Sequence, residues 1–158
     1  MRAVIQRVSR SSVTVDGDTT GSTERGLVVL VGVTHDDGQQ DIDYIVDKTV
    51  NMRLFPLEGE EHGFERAVLE IGGSVLLVSQ FTLYASTRKG RRPSFTAAAP
   101  GPVSEPIFER VVQAFRERGV HAETGVFGAY MQVELVNDGP VTIVLDSQER
   151  NTPRRAAD

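Results

Sequence analysis

No cysteine occurs among the 158 residues. Disulfides, thiolate nucleophiles and cysteine-based metal sites are excluded together, and the absence fits a reducing compartment. Long apolar runs are missing too. None approaches the roughly 20 residues that a membrane-spanning helix needs. Met1-Arg2-Ala3-Val4-Ile5-Gln6 lacks the apolar core of a secretory signal, so a cytoplasmic location and no membrane partner are expected. A basic excess is also lacking, since the net charge is −5 and the pI about 5.2. Contact with a nucleic acid must therefore come from a local patch, not from the field of the whole molecule.

The common catalytic signatures are absent as well. His35, His62 and His121 stand apart, with no His-x-x-x-His or His/Asp spacing for a metal. There is no Gly-x-Ser-x-Gly elbow and no glycine-rich phosphate loop. Neither a metal nor a cofactor is expected.

What the chain does contain is a regular alternation of element types. Its length suits one domain. Residues 1–147 are expected to form it, with 148–158 as a polar, flexible tail. Strands are expected over 2–8 and 12–16, with a turn at Asp16-Gly17-Asp18, and over 26–33, where an unbroken β-branched run predicts burial on both faces. Ile42, Ile45, Val46, Thr49 and Val50 fall on one helical stripe, with Asp36 or Asp37 as N-cap. Residues 53–66 read as a short strand and a loop. Gly72-Gly73 predicts a two-residue hairpin between 68–71 and 74–78. A long loop covers 86–104. A second helix follows, capped by Ser104, with Pro106 in its first turn, Ile107, Phe108, Val111, Val112 and Phe115 inward, and Gly119 at its end. The last strands are expected over 121–124, 129–136 and 140–146. The fold class is mixed α+β: a largely antiparallel sheet or barrel with two main helices.

Three stretches invite a chemical reading. Ser79-Gln80-Phe81-Thr82 follows a buried strand, which holds polar groups at the end of a rigid element. Such groups either satisfy one another and the turn or do chemistry. Asn137-Asp138-Gly139-Pro140-Val141-Thr142 looks like a hairpin turn with its proline at an edge. The alternative is a rigid element, such as a cis Gly-Pro, whose carbonyls point at something. Arg88-Lys89-Gly90-Arg91-Arg92 places four of the 17 basic residues within five positions. It is either a solvated face or a phosphate-contacting patch.

Together these stretches closely resemble the D-aminoacyl-tRNA deacylases. The likeness runs from Met1-Arg2-Ala3-Val4-Ile5-Gln6-Arg7-Val8 to Leu145-Asp146-Ser147. It includes Ser-Gln-x-Thr at 79–82 and Asn-x-Gly-Pro-x-Thr at 137–142, both intact. The resemblance implies hydrolysis of the ester of D-aminoacyl-tRNA, and of glycyl-tRNA, with no cofactor. It implies a homodimer whose active sites lie at the subunit interface. Gly139-Pro140 would be a cis dipeptide inserted into the neighbour's pocket, holding the substrate amino group and excluding L side chains, with Arg7 as its brace. Asn137 and Thr142 belong to the same motif. Ser79, Gln80, Phe81 and Thr82 would surround the ester carbonyl, with main-chain N–H groups near Phe81 and Thr82 facing the oxyanion. Arg88, Lys89, Arg91 and Arg92 would contact tRNA phosphates. One departure is visible: Phe64-Glu65-Arg66-Ala67 stands where the family commonly carries Met-Asn-x-Ser, so no polar role is expected of that loop.

Overall fold

Two long strands organise the computed structural model, which describes residues 1–152. β1 (Arg2–Val15) is continuous, where the sequence suggested two pieces. The expected tight turn forms, with positive φ at Asp16 and Gly17, and leads into β2 (Asp18–Thr23), a strand the sequence reading did not assign. β3 (Gly26–Gly32) and β6 (Gln132–Asp146) flank β1 antiparallel on its two edges. β4 (Ser74–Ser79) and β5 (His121–Thr124) extend the sheet in parallel from β3. The order is β2-β1-β3-β4-β5, with β6 on the other side of β1. β2 curls back over the far strands: a Cβ on Gly21 would lie 2.5 Å from the Thr124 carbonyl oxygen and 3.2 Å from Leu76 Cδ1. That close approach nearly closes the sheet into a barrel.

β3 is buried on both faces, as its apolar run predicted, and so is β4. Leu27, Val29, Val31, Val75 and Leu77 face the helices, while Val28, Leu76 and Val78 face the barrel interior with Val8 and Val13. α1 (Gln39–Asn51) buries the expected stripe of Ile42, Ile45, Val46, Thr49 and Val50. Its cap differs from expectation. Gly38 is the N-cap, and the Asp41 carboxylate accepts the Gly38 N–H at 3.0 Å. Asp37 is engaged elsewhere, by the Thr34 N–H at 2.7 Å and the Met1 ammonium at 2.5 Å.

α2 (Gly101–Glu117) starts earlier than Ser104, because Pro100 and Pro102 pre-set its first turn. Ser104 lies inside it, with its hydroxyl donating to the Pro100 carbonyl at 3.1 Å. Pro106 falls beyond the first turn. Gly119, at φ 83°, ends the helix.

Two hairpins expected from dipeptide signals do not form. Residues 67–73 coil into consecutive turns, with Glu70 N–H to Ala67 C=O and Gly72 N–H to Leu69 C=O. β4 then pairs only with parallel neighbours, so no local antiparallel partner is needed. At Asp138-Gly139 the chain does not reverse. β6 runs on in one direction through Pro140.

The tail expectation changes in part. Ser147–Asn151 form a short 3-10 helix. Arg150 pairs with Asp41 and donates to the Ser147 carbonyl at 2.8 Å. Residues 153–158 lie outside the described residues. Ser147 Oγ also bonds the Met1 ammonium at 2.7 Å and Asp41 at 2.6 Å. A buried polar cluster thus joins β1, α1 and the end of β6. Burial alone would raise the Asp41 carboxyl, but the Ser147 hydroxyl, the Gly38 N–H, the ammonium and Arg150 outweigh it and hold it below the usual carboxylate range.

Candidate active site

β4 delivers Ser79 at its C-terminal end, beside Val31 of β3. The Gln80 N–H donates to the Val31 carbonyl at 2.7 Å, which fixes where the chain leaves the sheet. Phe81–Tyr84 then form a 3-10 turn. Leu83 and Ala85 N–H groups are taken by the Gln80 and Thr82 carbonyls, whereas the Phe81 and Thr82 N–H groups have no partner among the described hydrogen bonds. The Gln80 side-chain amide donates to the Thr82 hydroxyl. The Gln80 and Thr82 side chains thus pair with each other, and the Phe81 and Thr82 N–H groups stay open at the end of the strand.

Beside Ser79 and Phe81 lies a cleft of about 340 Å³. Its walls include Phe95, Phe108, Phe127 and Ala99. Phe81 meets Phe95 edge-on at 5.0 Å, and Phe108 and Phe127 are 6.1 Å apart. The cleft suits a planar apolar group with a polar reacting end near Ser79. Phe95 and Phe127 fall in stretches that resemble the family and Phe108 was read as an inward helix residue, but none of the three was assigned to the site. Only the fold brings the loop, α2 and the segment before β6 to one place.

The basic run sits on the same loop as Phe95. Arg88, Lys89, Arg91 and Arg92 are all exposed, and none enters an ion pair among the described residues. A Ser86–Ser94 bridge pinches the loop, and the Thr34 hydroxyl and His35 ring hold its far end at Ala97 and Thr96. His62 is exposed, and His121 lies 2.9 Å from Glu123. No group of three potential metal ligands occurs among the described residues.

The Asn137–Thr142 segment is a bulge. Gln6 pairs with Thr142 and Val8 with Asn137, so four residues, Asp138 to Val141, stand opposite Arg7 alone. The Asn137 side chain closes the base: its oxygen accepts the Val141 N–H at 3.0 Å and its nitrogen donates to Thr142 Oγ1 at 3.1 Å. The Gly139–Pro140 bond is cis, and both residues are exposed. Gly139 has φ 128°, and a Cβ there would lie 3.0 Å from Arg7 Nη2. Arg7 is 4% exposed. Its Nε donates to the Asp138 carbonyl at 3.0 Å and lies 3.3 Å from the Asp138 carboxylate, while Nη1 donates to the Leu54 carbonyl at 2.6 Å.

Within one chain the two motifs do not meet. Ser79 and Pro140 are separated by three inter-strand steps and about four residues of strand, on the order of 20 Å.

Comparison with known proteins agrees with this architecture. The family model described as D-Tyr-tRNA(Tyr) deacylase matches residues 4–146. A D-aminoacyl-tRNA deacylase of Chloroflexus aurantiacus is 51% identical over 156 residues, 99% of this chain and 96% of that protein. One of Thermus aquaticus is 52% identical over 150 residues, 95% and 97% of the two chains. Among solved structures, the c-Myc DNA Unwinding Element Binding Protein superimposes with a TM-score of 0.86 at 40% identity, covering 92% of this chain and 98% of its own. A second solved chain, 17% identical, shares the fold at a TM-score of 0.77. The match spans both motif-bearing segments and nearly the whole barrel, and this chain belongs to the D-Tyr-tRNA(Tyr) deacylase family.

Proposed function

We propose that this protein hydrolyses the ester bond of D-aminoacyl-tRNA, releasing the D-amino acid and tRNA, and that it rejects L-aminoacyl-tRNA. The observation that carries the reading is the pair of unpartnered N–H groups at Phe81 and Thr82, held at the end of a buried strand beside an apolar cleft. An amino-acid ester is already an activated acyl group. Backbone donors aimed at the developing oxyanion contribute about 3–4 kcal/mol each, without a nucleophilic side chain. Ser79 and the paired Gln80 and Thr82 side chains orient the ester. The tRNA's own 2′-hydroxyl assists the attacking water.

Chirality is read by Gly139–Pro140. The dipeptide stands exposed and far from Ser79 in its own chain, which supports a homodimer in which each copy inserts it into the other's cleft. Its carbonyls hold the substrate amino group, and its bulk fills the space an L side chain requires. Asn137 and Thr142 stiffen the base of the bulge and Arg7 braces its back. Glycine has no side chain to exclude, so glycyl-tRNA is cleaved as well. Arg88, Lys89, Arg91 and Arg92 contact acceptor-end phosphates and supply the local positive patch that an acidic protein needs. A tRNA substrate supports a cytoplasmic location.

The test compares D-Tyr-tRNA, L-Tyr-tRNA, Gly-tRNA and a free D-Tyr ester as substrates. Release from D-Tyr-tRNA and Gly-tRNA, with little from the other two, is expected. Equal release from the free ester would make the protein a small-molecule esterase. Binding of tRNA without release from any substrate would make it a binding module.

A further inference from the structure

The segment that departs from the family pattern lies against the chirality element. The loop from Leu54 to Arg66 is pinched at its neck. Phe55 N–H donates to the Arg66 carbonyl at 3.0 Å, Arg66 N–H returns to the Phe55 carbonyl at 2.9 Å, and Glu65 N–H donates to the same oxygen at 3.0 Å. Arg7 occupies that neck. Its Nη1 reaches the Leu54 carbonyl on one side of the loop and the Gly63 carbonyl, at 3.5 Å, on the other. Phe64 follows Gly63 directly and precedes the anchored Glu65. Both of its neighbours are therefore tied, and its ring is held over the Arg7 guanidinium, 5.9 Å from Cζ to the ring centre. The guanidinium's other partner is the bulge: Nε donates to the Asp138 carbonyl, and a Cβ on Gly139 would lie 3.0 Å from Nη2.

We propose that Phe64 is a positioning residue for chiral selection, holding Gly139–Pro140 through Arg7. Arg7 has 4% of its surface exposed, and Phe64 has 57%. The ring thus accepts solvent contact while its face screens a buried cation. Hydrogen bonds to Leu54 and Asp138 fix the guanidinium at two points of its edge. The ring restricts what they leave open, rotation of the plane and entry of water beside it. A guanidinium free to tilt would carry the Asp138 carbonyl and Gly139 with it, and an L side chain would gain room. The sequence expectation of no polar role for residues 64–67 is compatible with this: the contribution is a ring face, not a hydrogen bond.

The inference rests on the function proposed above, and its test is built to separate the two. Phe64→Ala, Phe64→Leu, Phe64→Tyr and Pro140→Ala are compared with the parent chain for kcat/KM on L-Tyr-tRNA relative to D-Tyr-tRNA. The L/D ratio is expected to rise about fivefold in Phe64→Ala and Phe64→Leu, and to return to the parent value in Phe64→Tyr, which keeps the ring. Exchange of the Arg7 Nε proton with water, followed by NMR, is expected to quicken in the first two. Leucine keeps the apolar cover of the loop, so it reports on the ring even where alanine disturbs folding. A parent-like ratio in Phe64→Leu overturns the role of the ring. If Pro140→Ala loosens selection while both Phe64→Ala and Phe64→Leu leave it intact, the inference alone falls. If Pro140→Ala leaves the ratio unchanged, the reading of Gly139–Pro140 falls and the inference with it.

Discussion

β6 is clamped to β1 at two places by buried charge, and the two clamps are built to different ends. Near Asp146 the clamp is closed. Arg2 donates to Asp146 at 3.0 Å, Ser147 bridges the Met1 ammonium and Asp41, and Arg150 seals Asp41 from outside. Around Asp138 it is open. Arg7 is buried, as Asp41 of the first clamp is, yet what it grips, Gly139–Pro140, stands in solvent. The first arrangement spends buried polar groups on joining elements. The second uses them to present a small rigid object outward. A buried ion pair is weak evidence of stabilisation in itself. Its consequence depends on whether the groups it holds point inward or out.

The comparison breaks most sharply at Arg7. Arg7→Met removes the donor for the Leu54 and Asp138 carbonyls and leaves both without it. A stability loss of about 3 kcal/mol is expected from chemical denaturation, together with a marked rise in L-aminoacyl-tRNA turnover. Asp41→Asn disturbs the closed clamp instead. It leaves Arg150 without its carboxylate and the Ser147 hydroxyl without a charged acceptor, while the Met1 ammonium keeps Asp37, and is expected to lower stability by about 2 kcal/mol, with the L/D ratio unchanged. A shifted ratio in Asp41→Asn would mean that the two clamps are coupled along β6.

The same cluster predicts a pH dependence. Asp41 and Asp146 both titrate below their unfolded values, so the folded state binds fewer protons near pH 4 than the unfolded chain does. Their stabilisation is present above roughly pH 4 and is lost as the pH falls through the lowered values. The thermal midpoint of the parent chain is expected to fall below that pH, and Asp41→Asn is expected to show a shallower fall. The smallest effect on the fold comes from the exposed cations. Replacing Arg88, Lys89, Arg91 and Arg92 by alanine is expected to leave the thermal midpoint within a degree or two. It is expected to weaken all tRNAs alike and to reduce the slope of log affinity against log salt by about 3. An unchanged slope would reduce the run to a solvated loop.

The core and helix stripes were legible in the sequence because period and composition are local properties. The α1 stripe and the doubly buried β3 were read directly, and β4 was read as a strand, though with the wrong partner. The Asp16-Gly17 turn reverses the chain as read, but two other turn dipeptides were legible only as chain irregularities. Gly72-Gly73 gave consecutive turns feeding a parallel strand, and Asp138-Gly139 gave a bulge, because pairing partners far along the chain decide whether a kink reverses. Caps went wrong where another partner claimed the side chain, as Met1 claims Asp37. The site residues were named from motif resemblance. The structure adds the apolar walls at Phe95, Phe108 and Phe127, and the ring of Phe64 over Arg7. These contacts join residues 14 to 57 positions apart, and no short pattern encodes them.

The bulge in β6 also has a bearing on solubility. A strand of 15 residues pairs along one edge with β1, and its side chains include the exposed Val133, Val136 and Val144. A flat apolar edge of that length is a template onto which stray extended chains can add without limit. Four bulged residues interrupt the ladder, and Pro140 has no N–H to offer a newcomer. The strand therefore presents two short runs in place of one long one. The feature assigned to reading a substrate also guards the protein against its own aggregation.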